Sequence, residues 1–142
     1  MRVSDILRGK GSVVATIRPS ATVADLLGRL AEHNIGAMVV LAPEGMVGIV
    51  SERDVVRRLH EAGAELLDRP VSEIMSTDVA SCGPDDGVDR LNSIMTERRI
   101  RHLPVLKDDR LVGIVSIGDV VKVRMRELED STEQLEAYIS HG

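Results

Sequence analysis

Apolar and polar positions along this chain change period in a fixed order, and the whole order occurs twice. VVATI at 13–17 is a short β-branched run of strand type. TVADLLGRLAEHN at 22–34 then places Val23, Leu26, Leu27 and Leu30 at helical spacing, with Thr22 as the cap. GAMVVLA and MVGIV follow as two short apolar runs around Pro43, Glu44 and Gly45, the pattern of a hairpin. SERDVVRRLHEAG opens on a capping serine and closes on Gly63, which suits a helix. The predicted order is strand, helix, strand, strand, helix. VASC, GVDRLNSIMTERR, IRHLPVL, LVGIV and SIGDVVKVRMREL repeat it.

The repetition is in register. Ser51 and Ser116, Asp54 and Asp119, Gly48 and Gly113, Ile35 and Ile100, and Pro19 and Pro84 all stand 65 positions apart. Upstream, VSDI at 3–6 matches VSEI at 71–74 with an offset of 68, so the first copy carries three more residues in the loop that holds Gly9, Lys10 and Gly11. A copy of about 60 residues is too small to bury a sheet well alone. The expectation is an α+β module of two β-α-β-β-α repeats, 1–69 and 70–126, packed about a pseudo-two-fold axis with two equivalent clefts. A helical tail, 127–142, follows.

Composition narrows the chemistry. Phe and Trp are absent and Tyr138 is the only aromatic residue, so the core is aliphatic and a ring-shaped ligand would lie on aliphatic side chains. A formal charge of −5 with both signs spread along the chain excludes a nucleic-acid surface, which needs clustered basic residues. The single cysteine, Cys82, excludes an internal disulfide and fits a reducing compartment. MRVSDILRGKG carries charges of both signs without a signal-type apolar segment, and no run reaches membrane-spanning length. A soluble cytoplasmic protein without membrane association is expected.

The chemistry concentrates in GIVSERDVV and GIVSIGDVV. A strand ending in Gly-Ile-Val delivers Ser51 or Ser116 to a strand-to-helix turn, with Asp54 or Asp119 one helical turn later on the same side. A helix N-terminus offers amides to phosphate, and the carboxylate suits the paired hydroxyls of a ribose. Ser-x-x-Asp is equally a capping-box variant that satisfies helix amides and binds nothing. Capping alone accepts several residue types, yet both copies use Ser and Asp. Gly48 and Gly113 also recur inside strands, where glycine is costly unless something approaches the backbone closely.

TIRPSATV at 16–23, SCGPDDGV at 81–88, RHLPVL at 101–106, GIVSERDV and GIVSIGDV together resemble the tandem CBS-domain module, named after cystathionine β-synthase. The resemblance covers both copies and leaves only the tail. It implies a non-catalytic regulatory module that binds AMP, ADP, ATP, NAD(H) or S-adenosylmethionine between its halves, as a regulatory ligand and not an obligatory cofactor. By the same resemblance Asp54 and Asp119 would hold ribose hydroxyls and Ser51 and Ser116 would meet phosphate. Adenine would lie near Thr16, Ile17, Ser81 and Cys82 and the following strands at Ala37, Met38, His102, Leu103 and Pro104. Arg53, Arg101 and His102 are the phosphate candidates. Ile117 with Gly118 gives the second copy a compact turn before Asp119, while the first has Glu52 and Arg53 beside Asp54 and Gly36-Ala37-Met38-Val39 in place of Arg-His-Leu-Pro. The second site is the better formed.

Other constellations carry less. RGKGS at 8–12 lacks phosphate-loop spacing and reads as a flexible loop. His33, His60, His102 and His141 have no metal-ligand spacing, and Cys82 has no base partner and reads as a small, partly buried residue. No nucleophile and base pair marks an enzyme. Val121, Met125, Leu128, Thr132, Leu135 and Ile139 form a stripe on a lengthened final helix, which fits a homodimer contact. No effector domain is expected, so output is expected to pass through an unidentified regulated protein. The competing class is a ligand-independent interaction or scaffold module whose Ser and Asp are only caps.

Overall fold

The computed structural model describes residues 1–11 and 14–141, so Val13 of the first expected strand and Ser12 of RGKGS lie outside the described residues. Helix α1 (Val3–Lys10) precedes β1 (Thr16–Ile17), α2 (Val23–His33), β2 (Ala37–Ala42), β3 (Gly45–Ser51) and α3 (Glu52–Ala62). Two short 3-10 segments, Gly63–Asp68 and Val71–Glu73, lead to α4 (Val88–Arg98), β4 (His102–Lys107), β5 (Arg110–Ser116) and α5 (Ile117–His141). One sheet has the order β1-β2-β3 and the other is the hairpin β4-β5. β3 and β5 meet where the two lobes face each other.

The duplication extends to irregularities. Each hairpin shifts register at the same place, between Val40 and Leu41 and between Val105 and Leu106, just beside Gly48 and Gly113. Thr22 caps α2 as its position requires, accepting the Asp25 N–H at 3.1 Å while the Asp25 carboxylate accepts the Thr22 N–H at 3.2 Å. Asp108 and Asp109 both take positive φ, 51° and 61°, which closes the second hairpin with the twist its strands need.

Two sequence expectations change. VASC is reduced to one bridge, Cys82 to Val105, where Cys82 N–H donates to Pro104 O at 3.0 Å and Cys82 O accepts from Leu106 N–H at 2.8 Å. Pro104 stands where the first copy has Val39, which pairs with Thr16, and proline has no N–H to extend the ladder. The stretch from Arg8 to Lys10, expected in a loop, is the last turn of α1, and Gly11 at φ 92° ends it.

The packing exchanges the two leaders. Val3 and Ile6 are buried among Cys82, Val88, Leu91, Met95, Leu103 and Val115 of the second lobe. Val71 and Ile74 are buried among Ile17, Val23, Leu26, Met38 and Val50 of the first. Backbone bonds follow the same exchange: Val3 N–H donates to Asp86 O at 2.9 Å and Ser4 N–H to Pro84 O at 2.9 Å, while Val71 N–H donates to Ala21 O at 2.8 Å and Ser72 N–H to Pro19 O at 3.0 Å. Both cores are aliphatic, and each is closed by a segment that precedes the other lobe in sequence.

Candidate functional site

The strand-to-helix turns of the two lobes are built alike. At β3-α3, Ala37 pairs with Ser51 and Glu52 N–H donates to Gly36 O at 2.9 Å. At β5-α5, His102 pairs with Ser116 and Ile117 N–H donates to Arg101 O at 2.8 Å. Each serine is the last residue of a strand and each aspartate sits in the first helical turn, so hydroxyl and carboxylate converge as the spacing requires.

The convergence is a reciprocal cap. The Ser51 N–H and hydroxyl reach Asp54 Oδ2 at 2.8 and 3.1 Å, and Asp54 N–H donates to Ser51 Oγ at 3.4 Å. For Ser116 and Asp119 the three distances are 2.8, 3.1 and 3.2 Å. All side-chain donors fall on Oδ2. No hydrogen bond among the described residues reaches Oδ1 of either carboxylate, yet no such oxygen is buried without a partner, so both Oδ1 atoms keep solvent access. Capping occupies one oxygen and leaves the other available.

The two turns differ in charge. Lys10, which the sequence reading passed over, donates from Nζ to Asp119 Oδ2 at 2.7 Å and to Ile114 O at 3.0 Å. Its only sequence signal is the insertion Gly9-Lys10-Gly11, present in one copy. Among the described residues no cation pairs with Asp54, and Arg53 and Arg101 are exposed without an ion pair. Burial pushes the Asp119 carboxyl up, but the Lys10 ammonium and the Ser116 N–H outweigh it and hold it below the usual carboxylate range. Half-buried His102 is pushed down by burial and by Lys10, against the pull of Asp119 and, from the facing lobe, Glu52. The shift favours the neutral imidazole, so Arg101 and Lys10 are the cations here and His102 is a hydrogen-bonding group.

Most of the remaining candidates are buried within the two lobes. Ile17, Ala37, Met38, Cys82, Leu103 and Pro104 are buried, Thr16 and Ile117 are half-buried, and Ser81 is exposed. Met38 and Leu103 point into opposite cores, and their backbones are paired across each hairpin with Val50 and Val115. The Thr16 carbonyl is already taken by the Arg29 guanidinium. Cys82 is buried and its thiol is pushed up to about 12 by burial and by Asp86, the opposite of an activated nucleophile. The close approach expected at the strand glycines comes from the chain itself. A methyl group at Gly113 would stand 2.5 Å from Leu7 Cδ2, and one at Gly48 2.8 Å from both Met75 Sδ and Ser76 O. Among the described residues no cluster of His, Cys, Asp or Glu is suited to a metal ion, and no helix is long and apolar enough to cross a membrane.

The family model described as CBS domain matches residues 3–61 and 71–126. The chain belongs to the CBS-domain family. The mitochondrial CBS domain-containing protein CBSX3 of Arabidopsis thaliana is 34% identical, over 99% of this chain and 72% of its own. A CBS-domain protein of Agrobacterium tumefaciens, solved by crystallography, is 43% identical with a TM-score of 0.84, covering 87% of this chain and 92% of its own. The CBS domain pair of protein MJ0100, solved in complex with 5′-methylthioadenosine and S-adenosyl-L-methionine, is 26% identical with a TM-score of 0.80, covering 89% of this chain and 98% of its own. The α+β fold of two β-α-β-β-α CBS repeats with a C-terminal helix is thus shared with solved CBS pairs, which are regulatory modules without catalytic function.

Proposed function

We propose that this CBS pair is a cytoplasmic sensor that binds an adenosine-containing ligand, drawn from AMP, ADP, ATP, NAD(H) and S-adenosylmethionine, between its lobes and passes the signal to a separate protein. The observation that carries the reading is the solvent-accessible Oδ1 on Asp54 and Asp119, each aspartate fixed at a helix N-terminus by its serine. A carboxylate so oriented accepts ribose hydroxyls without losing its cap, and the helix end favours an anion beside it. MJ0100's complex with two adenosine compounds supports the ligand class. In this reading Ser51 and Ser116 meet phosphate, Arg101 assists, and the backbone at Thr16–Ile17, Ser81–Cys82, Ala37–Met38 and His102–Pro104 borders adenine.

The homodimer belongs to the same proposal. Val121, Met125, Leu128, Leu135 and Ile139 are all exposed on α5, and every residue from Leu128 to Ser140 stands clear of the two cores. Spacings of three and four residues along that stripe suit a helical partner from a second copy.

Calorimetric titration of the full chain with the five ligands tests the function. Binding that Asp119→Ala weakens supports it. Flat titrations with a lowered melting temperature in Asp119→Ala would instead identify a scaffold module whose Ser and Asp are caps.

A further inference from the structure

Corresponding carbonyls in the two lobes have different partners. Ile49 O accepts the backbone N–H of Ser76 at 2.8 Å, while Ile114 O, 65 positions on, accepts Lys10 Nζ at 3.0 Å. The leader that borders the first site does so with main chain, and the leader that borders the second does so with an ammonium. The extra Gly9, Lys10 and Gly11 make the difference: α1 runs on to Lys10 before Gly11 ends it.

An ammonium has three donors, and two are placed, on Asp119 Oδ2 and Ile114 O. The third has no partner among the described residues, and the Lys10 side chain is 35% exposed against 14% for Asp119, so it lies on the open side of the pair. With Oδ2 held by Ser116 and Lys10, a ligand meets Asp119 through Oδ1 and meets the remaining Lys10 donor beside it.

We propose that Lys10 is the specificity-determining residue of the Asp119 site, where its third donor takes an anionic oxygen of the ligand and selects phosphorylated adenosine compounds over neutral or sulfonium ones. The inference rests on the reading of Asp119 as the ribose acceptor. A fixed cation raises affinity for a phosphate and repels a sulfonium, so this site differs in preference from the MJ0100 pair solved with S-adenosyl-L-methionine. Burial and Lys10 lower the His102 imidazole from its ordinary value, which disfavours a competing imidazolium.

The test is calorimetric titration of the full chain with adenosine, AMP and S-adenosylmethionine at fixed ionic strength, in the unaltered protein, Lys10→Met, Lys10→Gln and Asp119→Ala. The expected result is AMP bound more tightly than adenosine or S-adenosylmethionine, with the AMP-to-adenosine ratio falling roughly tenfold in Lys10→Met, the weight of one charge-assisted contact. Lys10→Gln reads the same ratio if Lys10→Met fails to fold. A ratio unmoved by either Lys10 variant, with binding still weakened by Asp119→Ala, overturns the Lys10 assignment and leaves the ribose site standing. No binding of any of the three compounds overturns the Lys10 assignment, and the ribose reading falls with it if ADP, ATP and NAD(H) also fail to bind.

Discussion

Leu7 occupies the space that a side chain on Gly113 would need: a methyl group there would stand 2.5 Å from Leu7 Cδ2. The clash is with the end of a flexible side chain, so Gly113→Ala should destabilise modestly, and Leu7→Ala in the same chain should recover much of the loss. Gly48→Ala meets the Ser76 carbonyl at 2.8 Å, which cannot swing away. It should cost about 1–3 kcal/mol, the usual range for overpacking. Denaturant melts of the three single variants and the Leu7/Gly113 double variant measure both effects, and equal losses at the two glycines would contradict the packing.

The Ser116–Asp119 and Ser51–Asp54 caps should each contribute stability independently of any ligand. Ser51→Ala and Ser116→Ala are each expected to lose about 1 kcal/mol, as N-cap substitutions do. Thermal unfolding of the ligand-free protein checks this.

Acid should remove the Lys10–Asp119 contribution. The folded Asp119 carboxyl lies below its ordinary value of 3.8, so its contribution is fully present above that value and is lost as pH falls through the lower, folded one. The melting-temperature difference between the unaltered protein and Lys10→Met should therefore be largest near neutrality and shrink below the ordinary carboxylate value. His102 acts in the same direction at higher pH: its folded value lies below 6.5, so the unfolded chain takes up the proton first and stability falls as pH drops below 6.5. His102→Gln should flatten that part of the profile.

Cys82 should behave as an inert thiol. With its folded value near 12 against an ordinary 9.0, the native protein should react slowly with thiol reagents at pH 8 and rapidly once unfolded. The raised value also means that stability falls between pH 9.0 and about 12, as the unfolded thiol ionises first.

Removing residues 128–142 should separate assembly from folding. Residues 128–140 contribute no buried residue, so the shortened chain should keep its melting temperature while light scattering changes from dimer to monomer. A monomer from the full-length chain at micromolar concentration would contradict the α5 contact.

Much of this was legible in sequence because it is local. The Thr22, Ser51 and Ser116 caps and the hairpins rest on residues a few positions apart, and each reads as the structure shows it. The leader exchange does not, because VSDI and VSEI have the same polarity pattern and would suit either lobe. Contacts far apart in sequence reveal the choice, among them Leu7 with Gly113 and Met75 with Gly48. The recurring strand glycines did signal a close approach, but not what approached. Lys10 was hidden for the same reason: its partner lies 109 residues away, and a lysine between two glycines resembles a surface loop. Pro104 was in plain view, and its missing N–H accounts for the reduction of VASC to a single bridge.

The exchanged leaders also define what half of this molecule amounts to. A copy cut at residue 69 carries a leader that packs on the other lobe, and its own sheet is left open where Val71 and Ile74 lie. Two such copies can satisfy one another only by trading leaders between separate chains. The tandem arrangement is therefore a domain swap made permanent, its two participants joined by one continuous backbone.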